Sequence, residues 1–333
     1  MVVAIVGASG AVGQELLKVL EERHFPITEL RLFGSVRSAG TEYSFNSQSV
    51  TVQLLEHGEA FKGVDIAFVS AGGSVSLDYA DEITRYGAVM IDNSSAFRMD
   101  KDVPLVIPEV NKEDVFNCPR HIIANPNCST IVMALPLKAL HSLSPIKRVH
   151  VATYQAASGA GAQAMQELQN QYVQLSRHEP VSVSRFPHQL AYNVIPHIDV
   201  FTPNDYTKEE MKMHNETRKI FHSETISVSA TCVRVPSLRC HSESVWVETE
   251  HPVSVENFKH AIVAMKGCTL MDEPADNRYP MPLDLSGTDE VFVGRIRQDY
   301  TSSSGITFWC VGDQIRKGAA LNAVQIAEVW VNK

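Results

Sequence analysis

The sequence predicts an α/β protein that opens with a doubly wound parallel sheet and continues as an α+β unit with a mixed sheet. Three observations carry this reading. Short apolar strands alternate with helical segments through the first ninety residues, and a glycine-rich turn joins the first strand to the first helix. After Pro126 the pattern changes to strands rich in β-branched and aromatic residues, separated by long helices.

The opening apolar run over residues 2–6 leads into GASGAVG and then QELLKVLEER, where Leu16, Leu17 and Leu20 recur at helical spacing. Further strands are expected at Glu29–Phe33, at Asp65–Val69 before SAGGS, and at Ala88–Asp92 before NSSAFR. In the second part, HVATYQAASGAG, ISVSATCVRVP, HSESVWVETE and GITFWCVGD read as strands, and GAQAMQELQNQYVQL and KEEMKMHNETRKIF as helices. The pattern change divides the chain into residues 1–127 and 128–315, and the second sheet is suited to form a subunit interface. The closing stretch, amphipathic through Leu321, Val324, Ile326 and Val329, is expected to return to the first domain as a helix over residues 316–333.

With 333 residues and 44% hydrophobic content the chain can pack two cores. Its 29 basic and 38 acidic residues give a net charge of -9 without a basic cluster, which argues against nucleic acid and anionic membrane as partners. No stretch approaches the roughly 20 apolar residues of a membrane span. The opening residues lack a basic n-region and read as a strand, so a cytoplasmic protein is expected. Six cysteines without a CxxC pair argue against a disulfide framework or a zinc site, and no metal is expected.

Gly7, Gly10 and Gly13 form GxxGxxG, a variant of the dinucleotide fingerprint of Rossmann-type sheets. There the turn brings backbone amides up to a pyrophosphate at a helix N-terminus, which side chains larger than hydrogen would block. The expected cofactor-binding segment is Gly7, Ser9, Gly10, Ala11, Val12 and Gly13, with Ser70, Gly72 and Gly73 passing along the cofactor. An NAD site usually offers a carboxylate after the second strand, for the ribose 2′-hydroxyl. Here that place holds Ser35, Arg37 and Ser38, a cation and two hydroxyls, which favours the 2′-phosphate of NADP(H). A tight structural turn and a solvated polar loop are the plainer alternatives.

Cys128 follows Pro126 and Asn127, which can open a helix and leave the cysteine in its first turn. A thiolate there is stabilised by the helix dipole and unpaired amides, and with an ordinary pKa of about 8.5 the thiol gains reactivity from such placement. Taken alone, a cysteine at a helix start is more often a small buried hydrophobe.

From GASGAVG through RSAG, DNSSAFR, VPEVN, NPNCST, TYQAASGAG, IDVF, EEMKM, ATCVRVP, HSESV and VGRIR to GAALNAVQIAE, the chain resembles the bacterial, NADP-dependent aspartate-semialdehyde dehydrogenases over essentially its whole length. The resemblance implies Cys128 as nucleophile, Gln155 orienting the acyl group, and His241 as general acid and base. It implies Arg234 on the substrate carboxylate, seven residues before His241, and Arg98 and Lys219 on the phosphate. Glu216 is implied for the substrate amine and Asn127 for substrate binding, while Ser158, Gly159, Gln314 and Asn322 line the nicotinamide site. Glu209, Lys212, Glu216 and Lys219 also form a helical stripe that a solvated ion-pair face would explain. The implied reaction is reversible reduction of L-aspartyl-4-phosphate to L-aspartate 4-semialdehyde and phosphate by a homodimer. The alternatives are an N-acetyl-gamma-glutamyl-phosphate reductase, whose substrate has no free ammonium for Glu216, and a non-catalytic NADP-binding paralogue.

Overall fold

A computed structural model describes residues 1–332 of the chain. The chain forms two compact units, Met1–Asn127 with the residues from Ala319 onward, and Cys128–Gly318. The first unit contains β1 (Val2–Val6), α1 (Ala11–Glu22), β2 (Glu29–Gly34), β3 (Glu42–Phe45), β4 (Gln48–Leu54), β5 (Ile66–Val69), α2 (Gly73–Thr84), β6 (Val89–Asp92), α3 (Pro108–Asn111) and β7 (Ile122–Ala124). These strands make one seven-stranded sheet in the order β3-β4-β2-β1-β5-β6-β7, parallel throughout except for the β3–β4 pair. β1 and β5 are buried along almost their whole length, as expected for central strands covered on both faces.

The hairpin β3–β4 was not legible as strands, because TEYSFNSQSVTVQLL carries few buried apolar residues; of β4 only Val52 is buried. β7 is three residues long, too short for its pattern to read as a strand.

The second unit contains α4 (Cys128–His141), β8 (Ile146–Gln155), α5 (Ala162–Ser176), α6 (Lys208–Ile220), β9 (Ser227–Arg234), β10 (His241–Thr249), α7 (Val255–Ala264), β11 (Cys268–Leu270), α8 (Pro282–Leu285), β12 (Val291–Gln298) and β13 (Gly305–Gly312). Its mixed six-stranded sheet runs β11-β12-β13-β10-β8-β9, with parallel pairs at β11–β12 and β8–β9 and antiparallel pairs between. AASGAG does not continue β8; Ala157–Ala160 turns as a short 3₁₀ segment instead. α4 is buried on nearly every side, from Ser129 through Leu140 with Lys138 as the exception, so it is a core helix rather than an amphipathic one. α6 begins with a capping box in which Glu210 N donates to Thr207 Oγ1 and Thr207 N donates to Glu210 Oε2.

The closing helix differs from the expected span. A π-helical turn occupies Arg316–Ala320, and α9 covers Leu321–Val331; Lys333 lies outside the described residues. Arg316 and Lys317 belong to the second unit, where Asp313 Oδ1 accepts from the amides of Ile315 and Arg316 and Gly318 N donates to the Asp313 carbonyl. α9 packs in the first unit, with Leu321, Val324 and Ile326 in one cluster with Leu16, Leu20, Val3 and Ile91. Because Ile326 is fully buried there, Ile326→Ala is expected to lower the unfolding free energy by about 2–5 kcal/mol, read by urea titration.

Candidate active site

In the first unit the glycine turn lies between β1 and α1. Gly7 has φ 88°, and a Cβ there would come within 2.4 Å of the Ser70 carbonyl oxygen, so the loop after β5 leaves room only for glycine. A Cβ at Gly13 would strike the Gly7 carbonyl at 2.3 Å. Gly10 is the N-cap of α1 and supplies no side-chain cap, and Ala11 and Val12 open the helix, so its first amides face the turn without a competing acceptor on the cap. Ser9 and Gly10 are exposed beside it. After β2, Ser35 and Arg37 are exposed and Ser38 Oγ donates to the Ser35 carbonyl. Gly72, with φ 93°, caps α2 and Gly73 opens it.

Arg98 is buried, with Nε donating to the Asn125 carbonyl and Nη2 to the Asn93 carbonyl, both at 2.9 Å. A guanidinium committed to loop carbonyls has fewer of its five N–H groups for a phosphate. Asn322 is fully buried and its Nδ2 donates to Val106 O at 2.9 Å and to Asn125 Oδ1 at 2.7 Å. Asn127, also buried, closes this unit one residue before Cys128.

In the second unit Cys128 is the first residue of α4 and is partly exposed. Gln155 ends β8 and pairs in register with Arg234, which ends β9; His241 opens β10, the other neighbour of β8. The three side chains therefore share one rim of the sheet. Ala156 ties two of them together: its N–H donates to His241 Nδ1 at 3.1 Å, and its carbonyl accepts from Arg234 Nη1 at 2.6 Å. Gly159 fits against both, since a Cβ there would lie 2.8 Å from Arg234 Nη1 and 3.0 Å from His241 Nε2. Ser158 is buried next to it, and Gln314 braces the same rim, its Nε2 donating to Ser158 Oγ while its Oε1 accepts from Cys240 N at 2.8 Å.

His241 has no exposed surface, and its Nε2 has no hydrogen-bond partner among the described residues. Burial holds the imidazole well below its ordinary pKa, the Arg234 charge adds to this, and the nearby Cys240 carbonyl does not offset them. The ring is thus neutral, and because the Ala156 N–H points at Nδ1, its proton sits on Nε2. Burial also pulls the Arg234 guanidinium below its ordinary value, against the attraction of Glu209 and Cys128. The Glu243 carboxyl, buried two residues beyond His241 on β10 and beside Cys310, is pushed well above the carboxylate range by burial.

Glu216 is buried on α6 and Lys219, one turn on, is partly exposed. The stripe is therefore not a solvated face. Glu209 is buried as well, and its carboxylate bridges Lys212, at 3.0 Å, and the Gln155 amide, at 3.2 Å. As one of two adjacent glutamates at a helix start, Glu209 gave no signal apart from that stripe. Gly318 was missed too: a Cβ there would come within 2.9 Å of Cys128 Cβ and 3.3 Å of its Cα, so the π-helical turn rests directly on the cysteine. Among the described residues no group of three or more His, Cys, Asp or Glu side chains is arranged to hold a metal, and no helix is long and apolar enough to cross a membrane.

Two family models match the chain: the semialdehyde dehydrogenase NAD-binding domain over residues 2–118 and the semialdehyde dehydrogenase dimerisation domain over residues 137–317. With the glycine cradle and the parallel sheet, they make the chain a nucleotide-dependent oxidoreductase of the semialdehyde dehydrogenase class. The aspartate-semialdehyde dehydrogenase of Aquifex aeolicus is 54% identical over 99% of this chain and 98% of its own, and that of Bacillus subtilis is 49% identical over 98% and 96%. The crystal structure of aspartate semialdehyde dehydrogenase II from Vibrio cholerae, complexed with ASA, superposes with a TM-score of 0.97 at 46% identity, covering 100% of this chain and 98% of that one. The chain belongs to the aspartate-semialdehyde dehydrogenase family.

Gly318→Ala is expected to displace Cys128 and lower kcat by ~10–100-fold, the scale of an ångström-sized misplacement, with a matching drop in the rate of thiol alkylation. A second expectation concerns pH. A histidine whose pKa is depressed on folding binds its proton more readily once unfolded, so its share of the stability is present at high pH and is lost as pH falls below about 6.5. His241 is such a group, and His141, lowered by burial and Lys138, acts in the same direction. Urea titrations at pH 7.5, 6.5 and 5.5 should show stability falling by up to about 1.4 kcal/mol per unit and histidine, with a shallower fall in His241→Gln.

Proposed function

We propose that the chain catalyses the reversible, NADPH-dependent reductive dephosphorylation of L-aspartyl-4-phosphate to L-aspartate 4-semialdehyde and phosphate, through a thioester on Cys128. The observation that carries this reading is the buried, unpartnered His241 Nε2 beside Arg234 on the rim that ends in Gln155. An orphaned buried donor costs roughly 1–3 kcal/mol, which a ligand oxygen would recover.

The first unit fits a dinucleotide. Gly7, Ser9, Gly10, Ala11, Val12 and Gly13 would hold the pyrophosphate against the uncapped start of α1, with Ser70, Gly72 and Gly73 beside it. Ser35, Arg37 and Ser38, without a carboxylate among them, favour the 2′-phosphate of NADP(H). When bound, the reduced cofactor supplies the hydride that a thioester accepts far more readily than a carboxylate does.

On the second unit, Cys128 Sγ forms the C–S bond with the acyl carbon as the C–O bond to phosphate breaks, and once the thioester has taken up the hydride the C–S bond breaks again, releasing the aldehyde and returning the thiolate. The helix dipole of α4 favours the attacking thiolate. His241 donates from Nε2 to the oxygen of the tetrahedral species, since its neutral tautomer is set to give a hydrogen bond there. Arg234 pairs with the substrate carboxylate, for which a planar fork suits better than an ammonium. Glu216 is assigned to the substrate ammonium and Lys219 to phosphate oxygens. The product fits a chain serving lysine, threonine, methionine and diaminopimelate biosynthesis in the cytoplasm. The second unit, whose match is to a dimerisation domain, would pair two copies into a homodimer.

The test is phosphate-dependent oxidation of aspartate semialdehyde with NADP, run beside the N-acetyl-glutamate counterpart. Activity with the aspartyl substrate alone is expected, and Cys128→Ser should abolish it while NADP still binds, measured by fluorescence titration. Turnover that survives Cys128→Ser would overturn the thioester route, and preference for the acetylated substrate would shift the assignment to the glutamyl-phosphate reductase.

A further inference from the structure

We propose that Glu209 is a positioning residue whose carboxylate fixes which end of the Gln155 amide faces the catalytic rim. The proposal rests on the reading above in which Gln155 meets the acyl group. Gln155 Nε2 has three neighbours: Ser129 Oγ at 2.8 Å, Glu209 Oε1 at 3.2 Å and Thr153 Oγ1 at 3.3 Å. The two hydroxyls can donate or accept and so tolerate either end of an amide, whereas an ionised carboxylate only accepts. Of the three, Glu209 alone dictates that Nε2 turns toward it and Oε1 away.

That dictation requires Glu209 to keep its charge in a buried setting, and two features hold it. Lys212 Nζ lies 3.0 Å from Glu209 Oε2 and 2.9 Å from Asp199 Oδ2. Burial works against the ammonium, but Glu209 and Asp199 outweigh it and hold its pKa above the usual range. Glu209 also lies in the first turn of α6, behind the Thr207 capping box, where the helix dipole favours a negative charge.

With Nε2 committed, Gln155 presents Oε1, an acceptor, to the reacting group. It therefore suits the hydroxyl of a thiohemiacetal, while donation to the oxyanion falls to His241 Nε2. Glu209→Gln, which can offer either end of its own amide, releases the constraint without changing size.

The experiment is a double-mutant cycle of Glu209→Gln and Gln155→Ala on the full-length protein, with the rate of Cys128 alkylation by iodoacetamide as a second readout. Glu209→Gln alone should lower kcat ~10-fold or more with KM for aspartate semialdehyde moving less than about three-fold, as loss of orientation predicts. In the Gln155→Ala background the same change should alter kcat less than about two-fold, because its effect passes through the missing amide. Alkylation should be unchanged in both. Losses that multiply across the cycle, or a fall in alkylation with Glu209→Gln, would overturn the role of Glu209 and leave that of Gln155 standing. Full kcat in Gln155→Ala would instead remove the reading of Gln155, and this proposal with it. Should Glu209→Gln fail to fold, Lys212→Met enters the same cycle, since it weakens the charge on Glu209 and carries the same expectations.

Discussion

One peptide group organises the rim shared by Gln155, Arg234 and His241. The N–H of Ala156 is held by His241 Nδ1 and its carbonyl by Arg234 Nη1, so a single residue just past β8 sets an imidazole on one side and a guanidinium on the other. The backbone there is itself anchored, with Ala157 N donating to Ser237 O and Ser158 N to Leu238 O, so neither side chain can swing without giving up its bond to Ala156. A backbone donor offers no choice of protonation. It accepts nothing and only donates, and that asymmetry settles the tautomer of the ring opposite it. Gly159 completes the constraint, because any side chain there would intrude on both groups.

The charges around this rim are arranged so that few are left uncompensated. A buried guanidinium is expensive to desolvate unless it is hydrogen-bonded and faces opposite charge. Arg234 has the Ala156 carbonyl, and Glu209 and Cys128 act in favour of its charge. The histidine beside it is kept neutral by burial, with the Arg234 charge adding to the effect, and Glu243, two residues further along β10, is pushed well above the carboxylate range by burial, with Glu209 adding to this. The surroundings of the rim therefore carry a cation, an anion and two neutral hydrogen-bonding groups. Glu209 is the anion on which this balance turns, since it acts on Arg234, Glu243 and Gln155 at once.

What the sequence disclosed follows from how directly local chemistry writes itself into residue order. The strand–turn–helix at the start was legible because Gly7 and Gly13 stand where any Cβ would collide. The helix start at Cys128 was legible because Pro126 and Asn127 precede it, whereas a role for its thiol rested on the family resemblance. The seven-residue step from Arg234 to His241 has a geometric reason: β9 and β8 run parallel while β10 runs antiparallel, so the loop over residues 235–240 must carry the chain across the end of β8, two strand spacings or about 9.6 Å. The hairpin β3–β4 was hidden because only Phe45 and Val52 are buried in it, and alternation cannot be read from one apolar residue per strand. β12 was hidden because VFVGRIRQ contains a glycine and two arginines; that glycine, Gly294, is required by the Met271 carbonyl, which a Cβ would meet at 2.2 Å.

The two residues that local reading passed over share a cause. Glu209 and Gly318 act on side chains far away in sequence, Gln155 and Cys128, and nothing in their own neighbourhoods requires them. A glutamate in a helix's first turn is already explained by the dipole, and a glycine after a strand is already explained by a turn. Their second duty exists only once the chain is folded. For Gly318 that duty depends on Asp313, fully buried, whose carboxylate receives the amides of Ile315 and Arg316 through one oxygen and that of Gly287 through the other. This carboxylate winds the chain after β13 into a tight turn instead of a straight exit, and the turn lays Gly318 on Cys128. Cys128 is thus held from two directions, by a helix buried on nearly every side and by a backbone wall that no side chain can thicken.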